Sequence, residues 1–331
     1  MINGIATLND RRIFFLGVNT GFLADGKPDE RYLRFYATRS SSSLHCAIIG
    51  NVVVPGGYGS NAVSPTLTAE PVWTDLAAAI RRGGSMPGIQ LATAWEGYAG
   101  SRRFVGAKPH EIIQKARQLV TGMGRGRIAG VLDSFEAAAA MAERHGFSHI
   151  QLHAAHGYLL GLLVDSRINS DSMYVLERLA TLAVILRRAK VETSIRISLK
   201  TGEPNFDNIG TADFQDTIAR LPFDYIDLSS GFYNIDKRLI YPTHPNILAA
   251  RLNESLETGA RHPDRAFILS GRAIRHDWTK LPSNVHLGLC RDLIANPNFL
   301  QEPHSGCHNH NKCHYYSRGS SHLTCGRWLN A

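Results

Sequence analysis

Gly146–Tyr158, GFSHIQLHAAHGY, is the stretch on which the reading of the fold turns. Ile150 and Leu152 alternate with Gln151 and His153, the period of two that marks a strand. The strand then runs into two histidines three apart, a glycine and a tyrosine. A strand holds its residues rigidly, and the turn after it can aim side chains together. Proton-bearing groups gathered where a buried strand ends therefore suit an active site. His153, His156 and Tyr158 are the candidate catalytic residues. Each alone reads as readily as packing, but three in one short turn do not.

Outward from this strand, short β-type runs alternate with amphipathic helical stretches. On the N-terminal side lie helix Ser134–His145, a longer irregular basic segment, strand Gly88–Ala94 and helix Trp73–Arg82. Before them come strand Cys46–Val54, a helix near Pro28–Thr38 and strand Ile13–Val18. On the C-terminal side the alternation continues through Tyr174–Lys190, Thr193–Lys200, Thr211–Arg220, Tyr225–Gly231, Pro245–Thr258 and Ala266–Gly271. A shortened connection, Arg275–Asn284, leads to strand Val285–Cys290 and a last helix, Leu293–Leu300. Eight such units predict an α/β fold, a closed (β/α)8 TIM barrel, rather than an open doubly wound sheet. No GxGxxG follows the first strand, which argues against a dinucleotide-binding Rossmann domain. The expected organisation is a single barrel over 1–300 with a Cys/His-rich C-terminal segment, 301–331, packed on it.

The chain has 331 residues, 44% of them hydrophobic, and a net charge of +8. No apolar run approaches the roughly 18 residues of a membrane helix. The opening MINGIATLNDRR lacks the basic start and apolar run of a signal peptide, so a cytoplasmic protein without membrane attachment is expected. The positive charge favours an anionic ligand. Basic residues occur only in short pairs without aromatic interleaving, which points away from nucleic acid.

In such a barrel the site lies at the C-terminal ends of the strands. Those ends carry Asn19, Gln90, His153, Arg196, Lys200, Ser229-Ser230-Gly231, Gly271-Arg272 and Arg291, a set of donors with almost no carboxylate. Such a mouth suits an anionic, heteroaromatic, phosphorylated ligand and not a hard divalent cation.

At this point the residues resemble the old yellow enzyme family of FMN-dependent oxidoreductases. The resemblance rests on GFSHIQLHAAHGYLLGLL, IQLA, IDLSSG, SGRAI and CRDLIANPNF, in order and each at a strand end. It implies that Arg291, with the turn at Gly271-Arg272 and the neighbouring Cys290, binds the FMN phosphate. Gln90 matches the glutamine that pairs with the polar edge of the isoalloxazine, and Arg196 the arginine beside the flavin N1 and O2 atoms. The alternative for Arg196 is an ion pair inside the barrel. Asn19, Ser230 and Gly231 complete the implied cofactor contacts. His153 and His156 match the pair that receives a substrate oxygen above the flavin, and Tyr158 matches the proton donor. Zinc at the histidine pair is the alternative, but HxxH lacks the spacing and glutamate of HExxH and no third ligand is evident.

The chain also departs from the family's pattern. Asn19 stands where a threonine, cysteine or histidine is usual, and Cys290 where a glycine is. The third-strand loop QLATAWEGYAGSRRF, with Trp95, Tyr98, Arg102 and Arg103, is particular to this chain and reads as a substrate lid or a solvated basic loop. The run after the fourth strand is shortened to Asn169–Tyr174, which leaves substrate scope and a homo-oligomer open. Three of the five cysteines lie in the last 25 residues, a clustering that suggests metal or redox chemistry. Cys307, Cys313 and Cys325 resemble the cysteines of the iron–sulfur branch, related to dienoyl-CoA reductase and trimethylamine dehydrogenase, with His310 in place of the fourth. A [4Fe–4S] cluster, zinc and free thiols are the three outcomes. The FAD/NAD domain of that branch has no counterpart in this sequence, so electrons would come from NAD(P)H or a separate reductase. The expected reaction is reduction of an activated C=C bond in a small-molecule substrate. A dehydrogenase or desaturase run in reverse, and a catalytically impaired FMN-binding barrel, are the alternatives.

Overall fold

The computed structural model describes residues 11–98 and 108–328. Eight parallel strands close into a barrel, each hydrogen-bonded to the next in sequence and the last to the first. They are β1 (Ile13–Phe15), β2 (Cys46–Val53), β3 (Met86–Ala92), β4 (His149–Ala154), β5 (Glu192–Ser198), β6 (Tyr225–Ser229), β7 (Ala266–Leu269) and β8 (Val285–Leu289). Every residue of β2 and β4 is buried, as strands covered on both faces must be. The expected (β/α)8 barrel is the fold observed.

The helices that wrap the barrel are α1 (Glu30–Ala37), α2 (Val72–Arg82), α3 (Pro109–Arg144), α4 (Ser172–Arg188), α5 (Thr211–Ala219), α6 (Pro245–Arg261) and the short α7 (Arg291–Ala295). Local chemistry sets their ends. Asp29 caps α1 by accepting the backbone N–H groups of Arg31 and Tyr32. Pro109 and Pro245 open α3 and α6, where a missing N–H removes no helical bond. Between β7 and β8 the shortened connection forms two 3₁₀ turns, Ala273–Arg275 and Trp278–Lys280. The main apolar core lies between the strands and this outer ring, with Trp73, Phe135 and Phe147 fully enclosed.

Two features differ from the sequence expectation. Much of the segment expected to be irregular is the first part of α3, which runs for 36 residues across a break at Gly124. A small antiparallel hairpin, Leu23–Ala24 with Lys27–Pro28, follows β1. Among the described residues, no helix is long and apolar enough to cross a membrane.

Barrel interiors are usually filled by layers of branched apolar side chains. Here a polar column runs alongside a small cluster that includes Phe14, Cys46, Ile48 and Ile268. At the N-terminal end, Glu192 accepts from His45 Nε2 (2.9 Å) and lies 2.7 Å from His149 Nδ1. His149 Nε2 meets Ser194 Oγ at 2.8 Å, and Gln151 Nε2 donates to the same oxygen at 3.1 Å. Gln151 also accepts from Gln90 (2.6 Å) and donates to Asp227 Oδ2 (3.3 Å). The register places Gln90 beside Gln151, His153 beside Arg196, and Arg196 beside Asp227. The column therefore reaches the C-terminal mouth, where the strand ends gather.

Candidate active site

The turn after β4 is built by backbone conformations that favour few residues. His156 adopts φ 62° and Gly157 φ 77°. A Cβ at Gly157 would stand 3.1 Å from the Phe232 ring, so glycine is required by both conformation and space. His156 is held at two points: its N–H donates to Ser198 Oγ (2.9 Å), and its Nε2 lies 2.6 Å from Ser229 Oγ. The His153 ring is 5.1 Å from the His156 ring and 4.5 Å, edge to face, from Tyr158. The structure thus brings the three predicted catalytic residues together at one cavity.

Burial sets the protonation of this group. It pulls His153 well below the usual imidazole range, with Arg196 adding to the effect. His156 is lowered by burial and then by His153, Arg196 and Arg251. Both rings are neutral at pH 7, able to offer one N–H each. Burial, helped by Tyr233, pushes the Tyr158 phenol well above its ordinary value, against hydrogen bonds from Ser60 and Asn51. Tyr158 therefore holds its proton at neutral pH.

The predicted cofactor residues share this cavity, with Arg196 beside His153 in the register. Gln90, Asn19, Arg196, Gly271, Arg272, Cys290 and Arg291 all line it. Arg196 Nη1 donates to Asp227 Oδ2 at 2.8 Å and Nη2 to Ser229 Oγ at 3.3 Å, while its Nε is buried without a partner. The ion pair inside the barrel and the position on the cavity wall are both realised. Arg291 donates from Nη2 to Pro242 O (2.6 Å) and has a buried, unpartnered Nη1. Arg272, at φ 68°, bonds Asn309 and the Cys307 carbonyl. Burial raises the Cys290 thiol to about 12. Asn19 donates to Ser64 Oγ (3.1 Å) and accepts from Tyr315 Oη (3.2 Å).

Ser230 and Gly231 are not on the cavity wall. The turn there is folded back: Gly231 N–H donates to Lys200 O (2.7 Å) and Gly231 O accepts from Ser198 Oγ (3.1 Å). The expectation of almost no carboxylate fits the cavity wall, where Asp292 is the one carboxylate among the described lining residues, while Asp227 backs Arg196 from behind it.

Several residues of the site were not read from the sequence. Arg251 reaches in from α6 to Ser270 Oγ (2.6 Å) and Ser229 Oγ (3.2 Å), and burial lowers its guanidinium to about 9. A Cβ at Gly271 would collide with it at 2.7 Å, which is why that turn carries glycine. Asn51 at the end of β2 and the tyrosines 233 and 241 complete the wall. A lone polar residue near the end of the buried Ile/Val run of β2 was a signal for Asn51. Helix α6 gave none for Arg251. From the third-strand loop, Tyr98 packs 5.7 Å from Tyr158 and 4.6 Å from Trp95. Arg102 and Arg103 lie outside the described residues.

The tail forms part of the wall. Tyr315 and Leu323 are buried, Leu323 N–H donates to Thr20 O (2.7 Å), and the Trp328 indole donates to Ile294 O (2.9 Å). Cys313, His314, Tyr315 and Tyr316 face the cavity. Among the described residues the predicted metal set of Cys307, His310, Cys313 and Cys325 does not form a ligand cluster, although burial and then the neighbouring Cys307 and Cys325 raise the Cys313 thiol. Among the described residues, no three His, Cys, Asp or Glu side chains converge to hold a metal ion. Cys313 turns to the mouth, whereas the Cys307 N–H is tied to Asp292 Oδ1 (2.9 Å) and His310 packs toward His308.

Fold and site together define a (β/α)8 barrel whose mouth gathers neutral imidazoles, a phenol and guanidiniums around one cavity. The barrel is similar in fold to that of Old Yellow Enzyme from a Pichia species, with a TM-score of 0.62 over 88% of this chain and 83% of that one, at 14% identity. Two curated relatives are similar in sequence. An NADH-dependent flavin oxidoreductase of Aspergillus parasiticus is 24% identical over 63% of this chain and 53% of its own length. An NADH-dependent flavin oxidoreductase of Hypocrea jecorina is 23% identical over 86% of this chain and 78% of its own. The chain thus spans about half the length of the first of these relatives. No family model matches the chain.

Proposed function

We propose that the chain is an FMN-dependent oxidoreductase, a barrel with its tail as a wall, acting on the activated C=C bond of an α,β-unsaturated carbonyl. One observation carries this reading. His153 Nδ1, Arg196 Nε, Arg251 Nε and Arg291 Nη1 are all buried without partners, and their residues line one cavity. Buried polar atoms of this kind imply a ligand that satisfies them. An excess of guanidiniums over carboxylates suits a phosphate dianion. Gln90, with both an amide donor and an acceptor, suits a heteroaromatic edge. The residues fit FMN, and the names of the two relatives point to NADH as the reductant.

Arg291, Arg272 and the turn at Gly271 would hold the phosphate, and Gln90 with Arg196 the polar edge of the ring system. Bound FMN would supply the hydride. The chain's own residues manage the oxygen and the proton. His153 and His156, both neutral, donate N–H bonds to the substrate oxygen and stabilise the negative charge that develops on it. Tyr158 keeps its proton on Oη until the α-carbon needs it. The buried site holds water away from the developing charge.

Colour and binding test this directly. The purified protein should be yellow, or should quench the fluorescence of added FMN; one that neither carries nor takes up FMN overturns the reading. Arg291→Ala should weaken FMN binding by about 10- to 100-fold, the worth of a charge-assisted hydrogen bond, and leave riboflavin affinity nearly unchanged. With FMN bound, Tyr158→Phe should slow flavin reoxidation by an enone by about 10²-fold or more, measured by stopped flow.

A further inference from the structure

Asn51 is 9% exposed, in a strand otherwise composed of Cys, Ala, Ile, Gly and Val. A buried amide is retained only where its donors find partners. Asn51 Nδ2 donates to Tyr158 Oη at 2.9 Å. The Ser60 side chain bonds the same oxygen, and Asn51, Ser60 and Tyr158 line the same cavity. A phenolic oxygen has two acceptor sites and one proton. With donors engaging it from the β2 side, its own O–H is the group left to face the cavity and the His153 ring.

We propose that Asn51, backed by Ser60, is a positioning residue for proton transfer: it orients the Tyr158 O–H toward the substrate and stabilises the phenolate left behind. This rests on Tyr158 as the proton donor. In the step, the Tyr158 O–H bond breaks and a C–H bond forms at the carbon α to the carbonyl. Bound flavin, reduced by NADH, would supply the hydride pair at the β-carbon, and water returns a proton to the phenolate by way of Ser60. The amide donor plays the part of an oxyanion-hole N–H, but for the enzyme's own oxyanion. Such donors are worth about 10²–10³ in rate.

Two substitutions separate donor from shape. Asn51→Leu keeps close to the size of the side chain and removes both polar atoms; Asn51→Ala removes the shape as well. Each FMN-loaded protein is reduced with NADH without oxygen and mixed with 2-cyclohexen-1-one, and flavin absorbance reports reoxidation. Both variants should reoxidise about 10²-fold more slowly, with a larger solvent deuterium isotope effect. Both should keep affinity for 4-chlorophenol, a probe of the histidine pair. Asn51→Leu at the wild-type rate overturns the proposal, as does loss of 4-chlorophenol affinity in both variants, which would mark a structural role. A Tyr158→Phe protein as fast as wild type, or a wild type that cyclohexenone does not reoxidise, removes the underlying reading as well. A slow Tyr158→Phe beside a fast Asn51→Leu removes only the role of Asn51.

Discussion

Asp227 is fully buried, and Arg196 Nη1 stands 2.8 Å from it. Burial pushes its carboxyl upward, while Arg196 and Arg251 oppose the shift. The pair holds Arg196 at the cavity, so the carboxylate acts on the site through a residue that faces it. Asp227→Ala would leave a buried guanidinium without its counter-charge. We expect a loss of about 3–5 kcal/mol in urea unfolding, well above the value for an exposed ion pair. His153, His156 and Tyr158 were legible in the sequence because they crowd one turn after an alternating strand. Asp227 was not legible. Within IDLSS it is one polar residue in an alternating run, and only the register of β5 against β6 reveals its partner. Ser230 and Gly231 fall off the cavity wall for a related reason, since nothing local shows that their turn folds back onto Lys200.

At the scale of elements, α3 and the tail show where sequence patterns mislead. Glycines 122, 124, 126 and 130 lower helix propensity enough to hide the first half of α3. Only Gly124 leaves helical geometry, at φ 65° and ψ 167°. A Cβ there would meet nothing within 4 Å, so the penalty for substitution is purely conformational. Gly124→Ala should destabilise by about 1–3 kcal/mol, read in a urea titration, and the same change at Gly122 should not. In the tail, the cysteine and histidine spacing drew attention to ligand chemistry. Yet the apolar contacts that seat the segment come from Tyr315, Leu323 and Trp328, beside the hydrogen bonds of Cys307 and Asn309 to Asp292 and Arg272. Leu323 is 1% exposed, and Leu323→Ala should remove about 2–5 kcal/mol of stability. Because Tyr315 bonds Asn19 at the mouth, loosening the tail should also weaken 4-chlorophenol binding. The strands and most helices were legible because their periods were clean, and the (β/α)8 order followed from their count.

For the whole molecule, buried histidines set the response to acid. Burial holds His153 and His156 well below the usual range, and brings His286 and His314 to about 4. In the unfolded chain each titrates near roughly 6.5. As pH falls from that value toward about 4, the unfolded state takes up protons that the folded state refuses. Stability is therefore lost on acidification, by about 1.4 kcal/mol per pH unit for each such histidine. Glu192 acts in the same direction at lower pH. Burial pushes its carboxyl up, but hydrogen bonds from His149 and His45 outweigh this and hold it well below the usual range. Its contribution is present above the unfolded pKa and lost as pH falls through the folded one. The urea midpoint should drop clearly between pH 7 and pH 5; equal midpoints would contradict the neutral state assigned to these rings.

The polar column through the barrel has a consequence for heritable change. Gln151 bonds Gln90, Ser194 and Asp227 together, so losing it removes a partner from three neighbours at once. An apolar barrel interior can trade one methyl group for another, position by position. Here single exchanges should be punished and compensated pairs tolerated, with coupling of about 0.5–3 kcal/mol in double-mutant cycles. The interior of this barrel is therefore free to vary only in matched sets, and its two ends must drift together.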